Sequence, residues 1–153
     1  MPNLPKYKLL LSGLVLLVII IFSVWLISSY TYFQNGQLVF GHVVARVDDK
    51  VLSDADFNLY KPVYIGQKQC TSSSKVTASY QEVVDYLVKV TKEKDEATAK
   101  NLLPTKAEID NEMIDESLQY NGSANLLKKC GWTDAEFTRA VEVKLIEKKL
   151  GVS

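Results

Sequence analysis

The chain has 153 residues, with 18 basic and 18 acidic side chains, one histidine and two cysteines. That length admits one modest domain rather than two. Balanced charge without a Lys/Arg cluster argues against nucleic acid, and one histidine with two distant cysteines is a poor zinc ligand set.

The first feature along the chain is an uncharged run, Leu9 to Ile27, built almost wholly of Leu, Val, Ile, Phe and Trp. A helix rises 1.5 Å per residue, so the roughly 21 residues from Leu9 to Ser29 reach about the 30 Å of a bilayer core. Lys6 and Lys8 precede the run and no Lys or Arg follows until Arg46. The positive-inside rule then places the N-terminus in the cytoplasm. Trp25, Tyr30, Tyr32 and Phe33 fit an outer aromatic belt, and Tyr7 an inner one. A cleaved signal peptide is the alternative, but its apolar segment is usually about 7–15 residues. The expected layout is a cytoplasmic tail 1–8, a transmembrane helix 9–32, a tether and strand entry 33–42, and an extracytoplasmic domain 43–153.

Leu38–Val47 is rich in valine and reads as a short strand, with Asp48-Asp49-Lys50 as a turn before Val51-Leu52. Ser53-x-x-Asp56, Ser79-x-x-Glu82, Thr105-x-x-Glu108 and Thr133-x-x-Glu136 each fit a capping pattern that opens a helix. Pro62 is expected to end or kink the first of these helices. Val63-Tyr64-Ile65 reads either as a further helical turn or as a short extended piece. Gly66–Ala78 is the most loop-like stretch. Tyr80, Val83, Val84, Leu87 and Val88 have helical spacing. Ile109, Met113, Ile114 and Leu118 make a narrow apolar stripe, with Asp110, Glu112, Asp115 and Glu116 expected outward in solvent. Ser123–Lys129 forms a short helix, Cys130-Gly131-Trp132 a turn, and Phe137 onward a last helix. The fold class is therefore mainly α: one transmembrane helix, a short strand or hairpin, then about four to five packed helices.

No residue set reads as catalytic. His42, the only histidine, lies beside Gly41 at the strand entry, where a surface role is the expectation. There is no phosphate-binding glycine motif, and no cofactor is implied. Cys70 and Cys130 are an even count outside the membrane, which permits a disulfide, with two free thiols as the alternative. Both are expected in loops.

The order of these features resembles the SurA, PpiD and PrsA group of extracytoplasmic foldases. The opening Val43-Val44-Ala45-Arg46-Val47-Asp48-Asp49-Lys50-Val51-Leu52-Ser53-Asp54-Ala55-Asp56-Phe57 looks like that group's strand, turn, strand and capped helix with an early aromatic. The segments Pro104-Thr105 with Glu108, Leu126 to Thr133, Glu136-Phe137 and Lys144 to Leu150 extend the likeness to the outer domain. The turn lacks the glycine often found there, and nothing through Ser153 matches the parvulin prolyl-isomerase domain. The resemblance thus implies a membrane-anchored chaperone module that binds unfolded or translocating polypeptides, without isomerase activity of its own. A truncated or degenerate isomerase, or a non-catalytic envelope scaffold, are the alternatives. Tyr60, Tyr64, Trp132 and Phe137 are the expected client-binding aromatics, with core packing as the competing role.

Overall fold

Four Ser or Thr residues each open a helix by the same reciprocal device. In the computed structural model, which describes residues 15–24, 31–34 and 37–152, Ser53, Ser79, Thr105 and Thr133 accept from the backbone N–H of the third helical residue. The acidic side chain at that position accepts in return from the cap's own N–H, at 2.7–2.8 Å. Helix N-termini leave four orphan donors, and each box satisfies two of them. These caps start α2 (Asp54–Thr71), α3 (Tyr80–Ala99), α4 (Lys106–Gln119) and α6 (Asp134–Leu150). The short α5 (Ser123–Cys130) starts after Gly122 instead and ends on left-handed Gly131.

The chain divides into two compact units, Met1–Val43 and Val44–Ser153. In the first, residues 15–24 are helical (α1), and their large apolar side chains are all exposed. The Ser23 hydroxyl donates to the Ile19 carbonyl, so this stretch satisfies its polar group internally. Among the described residues, no helix is long and apolar enough to cross a membrane. The rest of the expected span, residues 9–14 and 25–30, lies outside the described residues. The far boundary is corrected: Thr31 and Tyr32, expected in the helix, belong to strand β1 (Thr31–Gln34). The expected tether is likewise structured, because β1 pairs antiparallel with β2 (Gln37–Phe40), Thr31 opposite Phe40. Two β-forming triplets on either side of Asn35-Gly36, a strong hairpin signal, account for the pairing.

The second unit opens with a hairpin of β3 (Val43–Val47) and β4 (Lys50–Ser53). Its turn needs a positive φ, and Asp48 supplies it at 50°. Aspartate tolerates this region, so the missing glycine is no obstacle. Val47 and Leu52 pack with Phe57, Val83, Val84 and Leu87 in one buried cluster. A second cluster holds Val63, Leu126, Phe137 and Val141 between α2, α5 and α6.

Of the two outcomes expected at Pro62, an end or a kink, the end is excluded, and Val63-Tyr64-Ile65 is a further helical turn of α2. The helix runs through Pro62 and Gly66 to Thr71, so the loop is only residues 72–79. Proline in a helix interior costs about 3 kcal/mol in isolation. Here Val63 is completely buried, and the Trp132 indole N–H donates to the carbonyls of Pro62 and Val63, at 3.2 and 3.3 Å. Tertiary packing thus outweighs local propensity. Gly66 is required: a Cβ at this position would lie 1.8 Å from Trp132 Nε1.

Cys70 and Cys130 form a disulfide, with Cα atoms 4.4 Å apart. Neither is in a loop; they sit in the last turns of α2 and α5. Two measurements test this packing. Replacing both cysteines by serine opens a ring of sequence separation 60, and urea unfolding of residues 44–153 should show a loss of about 4 kcal/mol, reproduced by reductant. Gly66→Ala should destabilise by about 1–3 kcal/mol through overpacking. It should also red-shift the emission of Trp132, the sole tryptophan of that unit.

Candidate functional site

Helix α4 follows the sequence expectation at Ile109, Met113, Asp110 and Asp115 and departs from it at Glu112, Glu116, Ile114 and Leu118. Glu112 and Glu116, expected in solvent, turn onto α6 and accept from Lys144 Nζ at 2.8 and 2.7 Å. Lys149 reaches Glu108 at 2.7 Å. Ile109, Met113 and Tyr120 rest partly buried on the main core. Ile114 and Leu118, expected in the core stripe, are instead 60% and 70% exposed. At 100° per residue they lie about 140–180° around the helix from Ile109. No residue of α4 is fully buried, so ion pairs and half-buried contacts hold it in place.

One depression lies on each side of this helix. The smaller, about 440 Å³, is lined by Met113, Ile114, Leu118 and Phe137, with Asp110 and Asp134 among its polar groups. It is largely apolar and continues the exposed stripe of α4. The larger, about 700 Å³, runs between α2 and α3 on one side and α4 and α6 on the other. Tyr64, Tyr86, Tyr120 and Trp132 line it with aromatic rings, and Cys70 of the disulfide is at its edge. The Tyr64 and Tyr86 rings lie 5.0 Å apart between centroids.

Carboxylates dominate the charge around the larger depression. Glu82, Asp85, Glu116 and Glu147 line it against Lys89 and Lys144. Each of those lysines is already held: Lys89 by Glu147 at 2.6 Å and Glu93 at 3.6 Å, Lys144 by Glu112 and Glu116. Burial works against the charge of Lys144, but the two carboxylates outweigh it and its pKa is raised. The Lys68 hydrogen bond, joined by the Ser79 cap, holds Glu82 down at about 2. Burial pushes the Tyr86 hydroxyl up. That hydroxyl is enclosed and has no hydrogen-bond partner; Gln67 pulls its pKa the other way without reaching hydrogen-bond geometry.

The four expected client-binding aromatics are distributed unevenly. Tyr64 and Trp132 line the larger depression, and Phe137 underlies the smaller. Tyr60 packs against both core clusters, its ring edge-on to Tyr86 with centroids 6.5 Å apart. Phe137 is only 1% exposed and Trp132 9%, and their rings stack at 5.9 Å. These two are core residues, because the interior of α6 and the indole contact with α2 consume their surfaces. The sequence reading missed Ile114, Leu118, Tyr86, Tyr120 and Asp85. Ile114 and Leu118 carried a signal, since an i, i+4 apolar pair fits either side of an amphipathic helix. Among the described residues, no cluster of three His, Cys, Asp or Glu side chains is arranged to hold a metal.

The depressed carboxylates set an acid limit. Glu82 and Glu108 have folded values of about 2 against an ordinary 4.5. Their contribution to stability is complete above about 4.5 and is lost as pH falls through 2. Glu93, raised by burial, works in the opposite sense. Urea midpoints measured from pH 5 to 2 should therefore fall, and Glu82→Gln with Glu108→Gln should flatten the decline.

No protein-family model matches the chain, and neither a curated protein nor a solved structure is matched by it.

Proposed function

We propose that the chain is a membrane-anchored polypeptide-binding module of the holdase type, acting outside the membrane and without catalysis of its own. One observation carries the reading: Ile114 and Leu118 stand exposed on α4 beside a largely apolar depression. Large apolar groups exposed together favour an interaction surface over plain solvation. Burial at about 25 cal/mol per Å² gives weak, sequence-tolerant capture over so small an area. Anchoring supplies the missing strength by raising local concentration near emerging chains. Two features support the anchor: the uncharged run Leu9–Ile27, and the exposure of every large apolar side chain described within residues 15–24. A helix apolar on all sides calls for lipid or protein around it. The reading is the one that the sequence resemblance to the foldase group implies.

A scaffold function is the second reading, favoured by the confinement of the exposed pair to a single helix face, which also fits one partner helix. The two are separated by light scattering of a chemically denatured client mixed with residues 44–153, a unit with its own cores and disulfide. Near-stoichiometric domain should suppress aggregation. Ile114→Ser with Leu118→Ser should remove most of that suppression while leaving the melting temperature nearly unchanged. Full scattering in the presence of a domain that is folded by circular dichroism would sink the holdase reading and favour the scaffold.

A further inference from the structure

We infer that the larger depression, floored by Tyr64, Tyr86, Tyr120 and Trp132, takes a basic side chain, Lys or Arg, carried on an extended polypeptide segment. The inference rests on the polypeptide-binding reading and specifies what that polypeptide must contain. Charge comes first. Of the four lining carboxylates, Glu82 is paired by Lys68, Glu147 by Lys89 and Glu116 by Lys144, so the negative charge left over is that of Asp85. An anionic ligand would need Lys89 or Lys144 free, yet each is held by two carboxylates. Asp85 is exposed, accepts only from the Gln81 amide at 2.8 Å, and has no cation partner among the described residues. A ligand cation entering here meets an uncommitted carboxylate.

The aromatic lining adds a second, independent preference. Cations are attracted to ring faces, and desolvated sites strengthen the effect. The protein already makes this contact itself: Lys68 Nζ lies 4.6 Å from the Tyr64 ring centroid. Tyr86 supplies the third observation. It is 9% exposed, it lines the depression, and its hydroxyl has no hydrogen-bond partner. Buried polar groups are almost always satisfied, so this enclosed hydroxyl is an exception that lies just beneath the groove wall. A basic side chain offers what the site lacks: an aliphatic stem for the rings and a cationic end for Asp85. The volume of about 700 Å³ falls in the range of ligand sites.

The test uses the full chain in nanodiscs of uncharged phosphatidylcholine, with empty discs as the baseline. Fluorescence anisotropy is read for three labelled peptides of equal apolar content, with Lys, Gln or Glu at one central position. The Lys peptide should bind about fivefold more tightly than the Glu peptide. Asp85→Asn, and separately 0.5 M salt, should shrink that ratio towards one. Equal affinities for the three peptides would overturn the inference while leaving polypeptide binding intact. A Lys preference that persists unchanged in Asp85→Asn would place the charged contact elsewhere and overturn it too. Absence of binding by any peptide would overturn both readings.

Discussion

Trp132 can lie against α2 only because residue 66 has no side chain, and most of the second unit is arranged around that contact. The indole covers Gly66 and donates to the carbonyls of Pro62 and Val63. It thereby fixes the crossing of α2 with the start of α6, stacks on Phe137, and leaves its remaining edge to the larger depression. The disulfide lies one turn further along α2 and joins the same helix to α5. Two unlike constraints, one covalent and one a steric fit, therefore act on the C-terminal half of α2, from Pro62 to Cys70. A helix interrupted by proline stays continuous because both of its neighbours hold it there.

Helix α4 is built on a different principle. It adds no fully buried residue to either cluster, and its inner face meets α6 through Glu108, Glu112 and Glu116. Surface ion pairs are individually weak, although several sharing one face act together. The side towards the protein combines these carboxylates with half-buried Ile109 and Met113, while Ile114 and Leu118 stand towards solvent. Both depressions depend on the placement of α4, which walls each of them.

Local chemistry was readable in the sequence wherever a few neighbouring residues decide it. All four caps form at the residues that signalled them, since Ser or Thr three positions before an acidic residue specifies its own hydrogen bonds. The β3–β4 hairpin formed without a glycine because Asp48 accepts the left-handed conformation. Asn35-Gly36 was a legible hairpin signal that the tether reading passed over. Long-range contacts were not legible. Nothing near Pro62 announces that an indole seventy residues later stabilises its helix. Nothing in α4 alone says that its apolar stripe divides, with Ile109 and Met113 on the core and Ile114 and Leu118 in solvent. Tyr64 and Trp132 were named beforehand and do line the larger depression, yet the groups that give it a chemical preference, Asp85 and Tyr86, emerge only when α3 is set beside α2.

The bond between Cys70 and Cys130 also makes α3, α4 and α5 part of a covalent ring. The linker between α3 and α4, residues 100–105, is largely exposed and is a natural entry point for a protease. A single cut there opens the ring without dividing the molecule. The C-terminal fragment, with α4 and α6, stays bonded through Cys130 to the fragment that begins at the N-terminus. Nicked protein therefore keeps both walls of each depression on one covalent framework, and fragments separate only when the bond is reduced.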